Sequence, residues 1–407
     1  MHDTTRPLLD LTGLLAAVEA APPVAAAEVL AAALADALDA QDVSFLIADF
    51  SGQSLIRLSH VERGGGTLGR ERTEAVPMIG TPHGRALTEQ EVVVRTETGA
   101  ARLYAPVSSR GEAVGVLELW LDREPDAEML ANVSAAAHAL AYVVIANRRF
   151  TDLFEWGQRS VPLSLEAEIQ HRLLPGSYTC EAGQFTLAGW LEPAGDVGGD
   201  TFDFSLERDT LHLSMTDAMG HTLDAALLAT VLVGALRNAR RRGVGLGDQA
   251  RLGQEALSAY TDKAGGFVTG QLVRVDLRSG QAWIVNAGHP PPIRVRDGVA
   301  EVISLHPDPP FGSPMTTDYV VQPLPLEPGD RVMFLTDGML ERNAATVDIR
   351  SVIAGCRHLH PREAVQQLTQ RVVAACGGTL RDDATVLCFD WAGGPARDRD
   401  ASAGADR

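Results

Sequence analysis

The chain has 407 residues, 45% of them hydrophobic and 22% charged, with a formal net charge of −18. This composition is that of a globular protein of two or three domains and excludes a disordered chain; the acidic balance disfavours nucleic acid and anionic membrane surfaces as partners. The four cysteines, Cys180, Cys356, Cys376 and Cys388, lie far apart without CxxC spacing, which excludes a disulfide framework or a thiolate zinc site and suits a reducing, cytoplasmic setting.

Residues 8–40 are rich in Ala and Leu and read as helical. Short β-type runs follow at Val43–Asp49, Ser54–Leu58, Glu91–Arg95, Ala101–Val107 and Val114–Trp120. From Asp126 to Phe154 the pattern is helical again, with Leu130, Val133, Ala137, Leu140, Val144 and Ile145 at spacings of three or four. Helix, strand meander and helix imply an α+β sheet domain over residues 20–148. The N-terminus lacks a basic segment followed by an apolar one. Charges interrupt the apolar stretches before about 18 residues, so no membrane insertion is expected.

A connector spans 149–176, where Ser164 is a candidate N-cap and Leu174-Pro175-Gly176 a stop. Leu165, Ile169 and Leu173 form an apolar stripe on this helix, suited either to its own domain or to a second copy of itself. A strand-rich domain follows over 177–392, with strands expected at Phe185–Trp190, Leu211–Thr216, Phe267–Val275, Gln281–Val285, Pro292–Arg296, Arg331–Thr336 and Ala384–Phe389. Helices are expected at 222–242 and 361–375; the basic end of the first, with Arg237, Arg240, Arg241 and Arg242, suits a helix C-terminus or a partner surface. Residues 393–407 have little to bury and read as a disordered tail.

Four acidic sites stand at strand ends or turns: Asp200 after Gly198-Gly199, Asp217 after Leu213-Ser214-Met215-Thr216, Asp337 in Thr336-Asp337-Gly338, and the pair Asp382-Asp383. Each alone is commonly a turn or a solvated loop. Together they suit hard divalent cations, which take oxygen ligands. Two such ions side by side lower the pKa of a shared water and neutralise an anionic substrate, which suits phosphate monoester hydrolysis.

These residues resemble a known family. Pro193–Phe204, Asp217-Ala218-Met219-Gly220-His221, the segment Val285–Pro292, Leu335–Glu341 and Arg381–Thr385 occur in the order of the motifs of bacterial PP2C-type (SpoIIE/RsbU-like) serine/threonine phosphatases. The preceding segment, Glu168–Pro175, is similar to the helix that leads into that domain. The resemblance implies an αββα sandwich with two Mn2+ or Mg2+ ions and a metal-bound water as attacking group, with no protein nucleophile. It implies Asp217 as the bridging ligand, Ala218 as a backbone-carbonyl ligand, Asp337 and Asp382 on one ion and Asp200 on the other, with Asp383 the weaker of the acidic pair as a ligand. His289 is read as fixing a Gly-Pro turn rather than as a proton donor. Thr222 stands where the family commonly has Gly, and Met219 where eukaryotic relatives carry an acid–base histidine.

The N-terminal segment resembles a GAF sensor domain through Arg102–Val107 and Val114–Leu119, with PAS as the nearest competing fold. His83 reads as a surface loop residue. The implied function is dephosphorylation of a regulatory phosphoprotein, an anti-sigma-factor antagonist in this family, under control of a ligand or partner at the sensor domain and in a homodimer joined through the linker helix. The competing readings are a partner-binding scaffold with vestigial acidic sites, and a metallo-phosphatase of a small metabolite.

Overall fold

The computed structural model of the chain describes residues 10–62, 75–159, 162–194, 198–220, 223–315, 318–340, 347–378, 380–393 and 401–406. They divide into two units, Met1–Pro162 with Asp400–Arg407, and Leu163–Arg399.

The first unit contains α1 (Leu11–Ala20), α2 (Ala26–Leu38), β1 (Asp42–Ala48), β2 (Ser54–Glu62), β3 (Ala75–Pro77), α3 (Pro82–Glu89), β4 (Val93–Glu97), β5 (Ala100–Ser109), β6 (Glu112–Leu121), α4 (Ala127–Asn147) and α5 (Leu153–Gly157). The expected single helix over 8–40 is two, because Pro22-Pro23 removes two backbone donors between them. The strands form one antiparallel sheet in the order β3-β2-β1-β6-β5-β4. Alternation along β1 sends Val43, Phe45 and Ile47 into a core with Leu34, Leu140 and Val144. Leu46 points the other way, toward Ala86 and Leu87 of α3. By length and composition alone α4 is able to cross a membrane. Its Met129, Val133, Leu140 and Val144 are buried in this core, which accounts for its apolar character.

The second unit opens with α6 (Leu165–Leu173), whose first turn is capped by Ser164 Oγ accepting from Ala167 N at 3.2 Å. Residues 149–176 are thus not a separate linker: α5 belongs to the first unit and α6 to the second. There follow β7 (Thr179–Glu181), β8 (Phe185–Glu192), β9 (Asp200–Leu206), β10 (Thr210–Ala218), α7 (Leu223–Arg241), α8 (Leu246–Ala264), β11 (Val268–Asp276), β12 (Ala282–Ala287), β13 (Ile293–Arg296), β14 (Val299–Val302), β15 (Gln322–Pro323), β16 (Asp330–Leu335), α9 (Ile349–Gly355), α10 (Pro361–Ala375) and β17 (Ala384–Trp391).

Two antiparallel sheets, ordered β15-β12-β11-β10-β9 and β14-β13-β16-β17-β8-β7, face each other. Phe185, Phe202, Leu213, Met215, Val273, Phe334 and Phe389 fill the space between them. Helices α7 and α8 cover the outer face of the first sheet through Leu228, Leu232 and Leu257. Helices α9 and α10 cover the second through Ile353, Leu368 and Val372. The layers are therefore helix, sheet, sheet, helix.

Within 393–407, expected to be disordered, β18 (Ala401–Ser402) pairs with β19 (Ala405–Asp406). The sequence reading also lacked β9, α8 and α9.

Candidate active site

The site starts from one register. β9 and β10 pair antiparallel, and Asp200 stands directly opposite Asp217. Opposed like charges in an antiparallel pair repel, and here Asp200 is buried and Asp217 half-buried. Asp200 is 2% exposed. Burial pushes its carboxyl well above the usual carboxylate range, and the charges of Asp217 and Asp383 push the same way. The hydroxyls of Thr385 and Thr336 oppose this by donating to Asp200 Oδ2 at 2.6 and 2.8 Å. Burial, followed by the charges of Asp337, Asp382 and Asp383, pushes Asp217 up to about 7.

The other sheet supplies the remaining acids. β16 and β17 are antiparallel neighbours, so the end of one meets the start of the other. Asp337 lies in the 3-10 turn after β16, and Asp382-Asp383 directly precede β17. Thr336 N donates to Thr385 O at 3.1 Å and Thr385 N to Thr336 Oγ1 at 3.0 Å, which fastens the two segments. Gly338 is required by space, since a Cβ there would lie 2.1 Å from the Asp383 carbonyl oxygen. The same holds for Gly199, whose Cβ would come within 2.8 Å of the Ala218 carbonyl oxygen. Neither Gly198 nor Gly199 has a left-handed φ; close approach of the backbone is what requires them.

Asp200, Asp217, Asp337, Asp382 and Asp383 are thus gathered near enough to perturb one another electrostatically. Among the described residues, however, no three His, Cys, Asp or Glu side chains are drawn together as tightly as a metal site requires. Asp383 is engaged as a structural anchor. Its Oδ1 accepts from Ala194 N at 3.0 Å, and its Oδ2 from Gly199 N at 3.3 Å and Gln170 Nε2 at 2.5 Å. Asp382 Oδ1 accepts from Asp383 N at 2.9 Å. Ala218 is buried, and its N–H donates to Gly199 O at 3.2 Å.

Gln170 was not singled out from the sequence. Its Nε2 also donates to the Asp200 carbonyl at 2.9 Å, so one amide of α6 touches two of the acidic segments. The signal was a polar residue on the buried face of α6, between Ala167 and Leu174. Thr336 and Thr385 were quoted only as parts of motifs. Arg237 and Arg240 are neither bare helix-end charges nor a free partner surface. Arg237 Nε and Nη2 donate to the two Asp203 carboxylate oxygens at 3.1 Å, Arg240 Nη1 to Asp203 Oδ2 at 3.0 Å, and Arg237 Nη2 also to Leu173 O at 2.6 Å.

His289 is buried and neutral. Burial pushes its imidazole down to about 3, its Nδ1 lies 2.9 Å from Thr269 Oγ1, and its backbone N–H donates to Asn286 Oδ1 at 3.0 Å. A residue so placed holds a turn. Met219 is 48% exposed, at the end of the Asp217 strand. His221 and Thr222 lie outside the described residues.

Residues 207–392 match the family described as Stage II sporulation protein E (SpoIIE). The second unit carries a SpoIIE-type, PP2C-like phosphatase domain. Solved structures similar to the chain include the RsbU and RsbW domains of a Mycobacterium tuberculosis protein, 26% identical over 53% of this chain and 63% of that one, with a TM-score of 0.45. The PP2C phosphatase domain and regulatory fragment of SpoIIE from Bacillus subtilis is 14% identical over 75% and 85%, also with a TM-score of 0.45. The catalytic domain of the serine/threonine protein phosphatase PstP, in complex with 2 manganese ions, is 15% identical over 51% and 97%, with a TM-score of 0.40. The matched part spans less than two thirds of the first of these chains.

The donor set of this SpoIIE-type domain suits divalent metal ions. It is all oxygen, as Mg2+ and Mn2+ prefer. The groups acting on Asp200 and Asp217 are hydroxyls and further carboxylates. Buried carboxylates so arranged gain from a cation and lose without one.

Proposed function

We propose that the chain is a divalent-metal-dependent protein serine/threonine phosphatase acting on a regulatory phosphoprotein. The observation that carries this reading is the opposed Asp200–Asp217 pair, joined by Asp337 and Asp382 from the second sheet, all but Asp200 lying within residues 207–392 that match the SpoIIE family. Asp217 would bridge two Mn2+ or Mg2+ ions, with the Ala218 carbonyl beside it; Asp337 and Asp382 would serve one ion and Asp200 the other. Bound metal supplies a water of lowered pKa and neutralises the phosphoryl charge.

The protein's own part is positioning. Thr336 and Thr385 orient Asp200 through its Oδ2. Asp383, held by Ala194, Gly199 and Gln170, fixes the 381–383 segment that carries Asp382. His289, low in basicity and buried, is not assigned to proton transfer.

The substrate is read as phosphoserine or phosphothreonine on an anti-sigma-factor antagonist, the usual substrate of the family resembled, in a cytoplasmic signalling role. The first unit is read as a GAF-like sensor for a ligand or partner. Of the α6 stripe, Leu173 packs against its own unit's core, while Leu165 is 61% exposed and is the part that supports pairing of two chains through that helix. Phosphate release from an aryl phosphate and from a phosphoprotein, each with and without Mn2+, tests the reading. Mn2+-dependent release from both is expected, with the phosphoprotein preferred. Release that ignores divalent metal would refute the chemistry, and release from the aryl phosphate alone would refute the substrate class.

A further inference from the structure

The segment after the phosphatase domain is short, small in its residues and nearly devoid of apolar bulk, yet its hairpin is seated in the first unit. β5 and β6 are joined by the two-residue turn Arg110-Gly111, both residues at positive φ (50° and 78°), with Ser109 and Glu112 as the last pair. In a turn of this kind the N–H of the second loop residue is not used by the hairpin ladder. Here Gly111 N donates to Gly404 O at 2.9 Å. Gly404 has a φ of +99°, and a Cβ on it would lie 2.1 Å from Ser108 O and 2.6 Å from His138 Nδ1. His138 of α4 forms the wall, its Nδ1 2.9 Å from Ser108 O and its ring edge-on to Tyr142 at 5.0 Å. Ala405, next in the chain, is 3% exposed.

We propose that the turn of β5–β6 and the adjoining face of α4 form a docking slot whose occupant is this chain's own segment 401–406. The slot selects a glycine flanked by small residues. It reads backbone through the Gly111 amide, and Ser108 O with His138 excludes any side chain at the central position. Recognition is steric and main-chain, so a tail without apolar bulk suffices. The consequence is topological: the phosphatase unit is tied to the first unit at both of its ends, through Pro162–Leu163 before it and through the docked segment after it.

Hydrogen exchange at the Gly111 amide tests this in the full chain, in a chain ending at Gly393, and in the full-length variant Gly404→Val. The readout is the Gly111 rate relative to β1–β6 ladder amides such as that of Phe45. In both variants the relative rate is expected to rise at least about tenfold as the hydrogen bond is lost. The single substitution leaves the tail present, so a matching result from both variants ties the effect to docking. An unchanged relative rate in both variants would overturn the proposal.

Discussion

The two units each bury carboxylates, and they treat them in opposite ways. In the first, Glu118 is 3% exposed and met by two guanidinium groups, Arg57 Nη2 at 3.0 Å and Arg102 Nη1 at 3.0 Å, and by the imidazole of His83, its Nε2 at 3.4 Å. Burial pushes its carboxyl up, but His83 and Arg57 outweigh that and hold it at about 2. In the second, Asp217 is surrounded by other carboxylates and pushed up to about 7. A buried acid whose charge is already compensated is structural. One whose neighbours share its sign awaits a cation from elsewhere. That difference, more than the number of acidic residues, is why the proposed chemistry is placed in the second unit.

The comparison breaks most visibly at Asp217. Asp217→Ala should lower Mn2+-dependent phosphate release by at least about 10²–10³-fold, the scale on which lost transition-state charge stabilisation is felt; steady-state assay of wild type and variant checks this. Without metal, Asp217→Asn should leave its unit as stable as wild type or more so, by roughly 1–3 kcal/mol, because it removes a repulsion. Glu118→Gln should do the reverse in the first unit. It leaves Arg57 and His83 without their partner and should cost roughly 2–4 kcal/mol, discounted because Arg102 is partly exposed, as read from the unfolding transition of that unit.

Gln170→Ala sharpens the comparison within the catalytic unit. It removes one amide that donates to Asp383 Oδ2 and the Asp200 carbonyl, while leaving every proposed ligand in place. Phosphate release should fall about tenfold, the equivalent of one to two hydrogen bonds, with Mn2+ binding weakened rather than abolished. The smallest effect is on pH. The Glu118 carboxyl is held down to about 2, against roughly 4.3 when unfolded. Its contribution is therefore complete above about pH 4.3 and fades as pH falls toward 2. The stability gap between wild type and Glu118→Gln should narrow across that window in acid titrations followed by circular dichroism.

Much of this was legible in the chain. The strands of the sandwich follow from apolar runs such as Leu211–Thr216 and Arg331–Thr336, and four of the five motif segments carry the acids that the fold brings near one another. What escaped was whatever depended on a partner element. β9 is not among the expected strands, although Phe202 faces the sandwich core and Asp203 meets Arg237. α8 was missed because Gly247 and Gly253 dilute its helical pattern; Gly253 earns its place through contact with Leu232 and Leu236 of α7, which only the packed pair reveals. His83, read as a surface loop residue, lies buried in α3, edge-on to Tyr104 at 4.6 Å, because the Glu118 network draws it inward. The hairpin at 401–406 is held by main-chain contacts to residues nearly three hundred positions earlier, which no local pattern encodes.

The central claim is that the carboxylates around Asp217 form a cation site, and thermal unfolding of the full chain titrated with Mn2+ tests it most directly. Binding to the folded state raises the midpoint with ligand concentration. The account predicts a Mn2+-dependent rise in the transition of the phosphatase unit that is absent in Asp217→Ala, with the transition of the first unit unmoved in both. A wild-type transition indifferent to Mn2+, or an equal rise in the variant, would contradict it.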